Sequence, residues 1–158
     1  MSTQLLSPQT SQELAVWVRL LRGHAGLTGE LSGQLQREHN LSLNEYEVLL
    51  LLARAEDDRL RRIDLANEVK LTASGITRLL ANLEKRGYVD RATCESDARV
   101  TYAVLTREGR DKLREASDPH IQGVRTALSE LYSPAELKTL GELLARLPGA
   151  EGVPDPNC

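Results

Sequence analysis

Between Thr72 and Arg86, the residues Ser74, Thr77, Arg78 and Ala81 recur at i, i+3, i+4 and i+7. That spacing collects them on one face of an α-helix. The face carries two hydroxyls, one guanidinium and one methyl. Hydroxyls can donate to or accept from base edges, and the planar guanidinium fork matches O6 and N7 of guanine. Small neighbours let such a helix lie close in a DNA major groove. The chemistry on offer is therefore recognition by hydrogen bonds. Chemistry of bond making lacks its parts: the sequence holds no Gly-rich phosphate loop, no His-Glu-x-x-His and no nucleophile elbow, so no enzyme is expected. His24, His39 and His120, like Cys94 and Cys158, fall in no ligand spacing. No metal site and no cofactor is expected from them.

The elements that must position this face follow from periodicity and end signals. A long helix is expected from about Ser11 to His39, with Leu14, Trp17, Val18, Leu21, Leu31 and Leu35 as its apolar stripe. Gly23, Gly26, Gly29 and Gly33 interrupt it, which allows either a bend or the close approach of another backbone. Ser42 and Glu45 form a capping box for a second helix running to about Ala55, apolar on nearly all sides. A short third helix is expected over 63–69. The helix that carries the recognition face starts at Thr72 as N-cap and stops at Gly87, opposing Ile76, Leu79, Leu80 and Leu83 to the core. Residues 88–93 and 99–105 alternate as two strands around a loop at 94–98. A further helix runs from Arg107 to about Ser117, where Pro119 is expected to kink or restart it. Ser133-Pro134-Ala135-Glu136 opens a last helix that ends at Pro148-Gly149. The fold class is thus mainly α, a winged helix-turn-helix core between long helical ends. The ends carry more apolar stripe than the small middle can cover, which predicts a second copy as partner.

Charge is distributed in keeping with this layout. The 158 residues carry a net charge of −3, which by itself disfavours nucleic acid. Residues 59–112, however, hold 12 Lys/Arg against 8 Asp/Glu, a net +4, between flanks of −4 and −3. A basic centre with acidic ends suits a DNA-facing middle. Arg61, Arg62, Lys70, Lys85, Arg86 and Arg91 are the candidate phosphate contacts. The first ten residues lack the basic and apolar regions of a secretory signal, and the apolar run 48–53 is too short for a bilayer. The expected setting is cytoplasmic, without a membrane. A winged helix that has lost DNA binding and acts through protein contacts is the alternative function.

The residues also have a familiar order. Leu65-Ala66, Gly75-Ile76-Thr77-Arg78-Leu79-Leu80, Leu83-Glu84-Lys85-Arg86-Gly87-Tyr88-Val89 with Arg91, then Asp97-Ala98-Arg99, Leu105-Thr106 and Gly109 follow one another at set spacings. In this the chain resembles the multiple antibiotic resistance regulator (MarR) family of dimeric winged-helix transcription factors. The resemblance is close from Leu41 to Glu115 and holds only in outline at the ends. It implies a homodimer on double-stranded DNA at a pseudo-palindromic operator. It implies a dimerisation helix over 1–40, a DNA-binding lobe over 41–106 and dimerisation helices over 107–147; the Pro- and Gly-containing tail over 148–158 is expected from its composition to be disordered. Thr77 and Arg78 stand where the family commonly touches bases, with Ser74 beside them. Arg99 stands where the wing arginine enters the minor groove, and Asp97 is expected to orient it by a charge-assisted hydrogen bond. The resemblance further implies a repressor, in many members released by a small anionic or aromatic effector. Trp17, His24 and Tyr46 are the candidate pocket residues for one. Cys94 falls in the wing loop, where Glu95 and Asp97 are expected to raise its pKa and so keep it out of redox chemistry.

Overall fold

The computed structural model describes residues 11–150. Helix α1 spans Gln12–His39, capped by the Ser11 side chain and closed by Asn40 in the left-handed region. It runs unbroken through its four glycines, and a Cβ on Gly23, Gly26 or Gly29 would meet nothing within 4 Å. Among the described residues, neither a helix break nor a close backbone accounts for them. Helix α2, Leu43–Arg54, starts on the expected Ser42/Glu45 capping box, both halves of which form. A 3-10 turn over Glu56–Asp58 follows, with Asp57 and Asp58 both at φ 55°. Then come β1 (Arg59–Arg61), α3 (Arg62–Glu68), α4 (Ala73–Lys85), β2 (Val89–Thr93), β3 (Thr101–Leu105), α5 (Arg107–Ser129) and α6 (Pro134–Leu144).

Strand β1 was not expected. It pairs antiparallel to β3, Arg59 opposite Val104 and Arg61 opposite Tyr102, making a three-stranded sheet of order β1-β3-β2. The expected hairpin is β2 on β3, with Arg91 opposite Ala103. Pro119, expected to kink or restart the helix before it, does not restart it: α5 is one helix with Pro119 inside. Proline removes one N–H, the one that would have reached the carbonyl of Glu115. Glu115 is exposed, so solvent can satisfy that carbonyl, while Leu113 and Ala116 bury the same turn of helix. Helix α6 has the expected capping box at Ser133 and Glu136, but ends at Leu144, with Leu147 in the turn beyond.

The chain divides into two compact units at His120/Ile121. The core of the first unit is one cluster built on Leu35, Leu41, Val48, Leu49, Leu52, Leu65, Ile76, Leu83 and Val89, all at most 1% exposed. It draws on α1, α2, α3, α4 and the sheet, so burial of one apolar face per element fixes the placement of α4. Gly109 marks the tightest joint. A Cβ there would lie 2.0 Å from the Tyr88 carbonyl oxygen. That oxygen accepts from the Thr106 amide at 3.1 Å, and the Thr106 hydroxyl donates to Gly87 O at 2.6 Å. The start of α5 is thereby tied to the turn between α4 and the wing.

In the second unit the described residues of α6 leave apolar side chains uncovered, Leu143 and Leu144 among them. The expected tail over 148–158 lies mostly outside the described residues; residues 148 and 149 form a turn.

Candidate nucleic-acid interface

Helix α4 owes its start to Thr72, whose hydroxyl accepts from the Gly75 amide at 3.1 Å. Ser74 is thus released from capping and stands exposed in the first turn, its Oγ 3.2 Å from Thr72 Oγ1. The helix stops because Gly87 takes φ 75°, which lets the Gly87 amide donate to Glu84 O and the Tyr88 amide to Leu83 O. Ile76, Leu80 and Leu83 are buried beneath, and Ser74, Arg78 and Ala81 are exposed above. Arg78 has no hydrogen bond or ion pair to any described residue, so its guanidinium is uncommitted. Thr77 is half-buried and engaged: its hydroxyl donates to Ala73 O at 2.7 Å and accepts from Arg62 Nη1 at 3.1 Å. A base contact by Thr77 would have to exchange the Arg62 bond.

In the wing, Arg99 is exposed at the tip and its guanidinium also has no partner among the described residues. The expected Asp97–Arg99 side-chain bond does not form. Asp97 Oδ1 instead accepts from the Arg99 backbone amide at 2.9 Å. A carboxylate two residues before an amide closes a local turn more readily than it reaches a long side chain. Asp97 therefore shapes the tip, and leaves the arginine free. Cys94, expected to have a raised pKa, has a lowered one. The Ser96 hydroxyl, 3.1 Å away, and the backbone amides of Ser96 and Asp97 stabilise the thiolate more than the Asp97 charge opposes it.

The candidate phosphate contacts separate by their partners. Lys70, at φ 55° after α3, and Lys85, in the last turn of α4, are exposed and unpaired among the described residues. Arg61 pairs with Asp64 at 3.0 Å, Arg62 holds Thr77, and Arg91 pairs with Glu84 at 3.3 Å. Arg86 is half-buried and engaged. Its guanidinium donates to Asn40 O and to the buried Glu45 carboxylate, both at 2.5 Å, and lies over the Tyr88 ring. It clamps α4 to the junction of α1 and α2. Among the candidate pocket residues, Trp17 and His24 are exposed on α1, but Tyr46 is only 6% exposed. Its hydroxyl donates to Ser117 Oγ at 3.3 Å and its ring packs on His120 at 4.6 Å, so Tyr46 belongs to the core. The structure does not bring the three together. Sequence reading missed two ion pairs, that of Glu84 with Arg91, seven residues on, and that of Glu45, beyond its capping role, with Arg86, 41 residues on. No group of His, Cys, Asp and Glu among the described residues could hold a metal.

An exposed, uncommitted recognition face beside a two-stranded wing defines a winged-helix DNA-binding protein. Comparison with known proteins agrees. The family described as transcriptional regulator SarA/Rot matches residues 30–116. The transcriptional repressor YetL of Bacillus subtilis is 35% identical over 111 residues, 68% of this chain and 66% of its own. Sco3205, a MarR family transcriptional regulator from Streptomyces coelicolor solved in complex with DNA, is 33% identical, with a TM-score of 0.79 over 99% of this chain and 95% of its own. AbsC, a MarR family regulator from the same organism, is 32% identical, with a TM-score of 0.75 over 90% and 93%. The chain belongs to this family of winged-helix transcriptional regulators and is of MarR type. No helix of the described residues is long and apolar enough to cross a membrane.

Proposed function

We propose that the protein is a homodimeric, sequence-specific repressor that reads a pseudo-palindromic operator. The observation that carries this is Arg78, exposed and uncommitted at the centre of the outer face of α4. Ser74 and Thr77 flank it, Arg99 reaches from the wing toward the minor groove, and Lys70 and Lys85 are the free cations for phosphates. Two such helices, one per protomer, would enter successive major grooves about one helical turn apart. The repressor reading is supported by YetL, named a repressor. Residues 41–106 form the DNA-binding lobe in this reading, and 1–40 and 107–147 the dimerisation helices.

The dimer is supported by what α1 leaves open. Leu14, Trp17 and Leu21 share one stripe and are 51%, 56% and 49% exposed, whereas Leu31 and Leu35 further along are buried. Large apolar side chains left in water on one stripe favour a partner. Release by a small anionic or aromatic effector belongs to the same proposal. Its candidate lining is Trp17 and His24, seven residues apart on the exposed side of α1, without Tyr46. A role through protein contacts alone is not favoured, since it leaves the uncommitted arginines of α4 and the wing without purpose.

A gel shift on the DNA flanking the protein's own gene, at two salt concentrations, tests the reading. A discrete complex that weakens with salt is expected. Arg78→Ala should lose about 1–3 kcal/mol per half-site and relax sequence preference. Undiminished affinity in Arg78→Ala would remove that face from the interface.

A further inference from the structure

Glu84 is a carboxylate on the face of α4 that the DNA-binding reading turns toward DNA. It lies three residues beyond Ala81 and seven beyond Thr77, the C-terminal continuation of the same stripe. Its two oxygens receive the Arg91 Nε and Nη2 groups, all at 3.3 Å. The two side chains line a small cleft between α4 and the sheet, together with Arg62, Thr77 and Tyr102. Neither partner is buried: Arg91 is 56% and Glu84 29% exposed, so a phosphate has access to the arginine and must compete with the carboxylate for it.

We propose that Glu84 is an electrostatic restraint on DNA binding, holding Arg91 out of phosphate contact and so limiting the affinity for DNA of any sequence. The inference rests on the DNA-binding reading above. Sequence-independent affinity comes from cations that displace counterions from phosphates, and a cation already neutralised in the protein contributes little to it. Arg61 and Arg86 are also paired, but Asp64 lies in α3 and Glu45 is buried in the first turn of α2, so neither carboxylate stands on the recognition stripe. Glu84 does, and acts twice: it occupies Arg91, and it sets a negative charge beside the DNA backbone. Arg78, six residues earlier in α4 and uncommitted, keeps its base contact. The net effect is a lobe that reads sequence through few free cations.

The test uses the full chain, a duplex of random sequence and the selected operator, with fluorescence anisotropy over a series of KCl concentrations. Glu84→Gln keeps the shape and removes the charge. It is expected to bind both duplexes several-fold more tightly, with a plot of log affinity against log salt steeper by roughly 0.9 per protomer. Adding Arg91→Ala to Glu84→Gln should return the slope to that of the parent. Arg91→Ala alone should leave the slope unchanged, because the parent's Arg91 displaces no counterion. A slope shallower in Arg91→Ala, or a Glu84→Gln protein that binds no better than the parent, would show that the pair presents Arg91 to a phosphate and overturn the restraint. The Arg91→Ala arm decides the matter even if Glu84→Gln fails to fold. A parent that binds no duplex at any salt would instead overturn the DNA-binding reading, and the restraint with it.

Discussion

Glu45 is 6% exposed and gives its carboxylate both to the Ser42 amide and to Arg86, so one side chain starts α2 and anchors α4. Removing Arg86 would strand that buried charge. Arg86→Ala is expected to cost about 3–5 kcal/mol in urea unfolding. A cost within the ~1 kcal/mol of an exposed pair would mean that water replaces the arginine. Cys94 offers a test by pH. With its thiol held below the ordinary 9.0 by Ser96 and two amides, the alkylation rate of a Cys158→Ser protein should reach half-maximum at lower pH when folded than in urea, and Ser96→Ala should move that midpoint up. His120 has its pKa lowered from 6.5 by burial, with Nδ1 unpartnered beside Tyr46. A depressed folded value means that the unfolded chain binds the proton first. Stability should therefore fall as pH drops below about 6.5 and level off once the folded value is passed. His120→Phe should flatten that part of the pH–stability curve.

Among the elements, the joint between the wing and α5 has least tolerance. Gly109 is there because the Tyr88 carbonyl occupies the place of a side chain. Gly109→Ala is expected to destabilise by about 1–3 kcal/mol, as overpacking does, although alanine favours helices elsewhere. Thermal unfolding measures this. Gly26→Ala, where a Cβ meets nothing among the described residues, is the matched control and should gain stability through helix propensity alone. Loss of stability in Gly26→Ala would point to a backbone of a second copy lying against α1.

On the scale of the whole molecule, the uncovered stripe of Leu14, Trp17 and Leu21 makes association the central expectation. Sedimentation should show a dimer whose melting temperature rises with protein concentration. Trp17→Glu should shift it toward monomer and weaken operator binding far more than binding to a half-site, because one protomer reaches only one half-site. Equal loss on both would place Trp17 outside the interface.

The sequence by itself determined the parts that depend on short range. Caps at Ser42, Thr72 and Ser133, the stop at Gly87, the two strands of the hairpin and the face of Ser74, Thr77, Arg78 and Ala81 follow from residues within a few positions of one another. Hydrogen bonds of caps and turns close over three or four residues, and helix periodicity repeats over the same span. What only the tertiary structure decided lies between residues far apart. Three residues of β1 carry no periodic signal of their own and become a strand because the edge of β3 is open to them. Arg86 and Arg91 are alike in sequence as basic residues near the recognition helix. One is clamped under Glu45, 41 positions away, and the other held at the surface by Glu84. Tyr46 enters the core because α5 brings Ser117 and His120 to it. A charge or a ring has the same identity in water and in the interior, and only the packed surroundings decide whether it faces a ligand or holds the fold together.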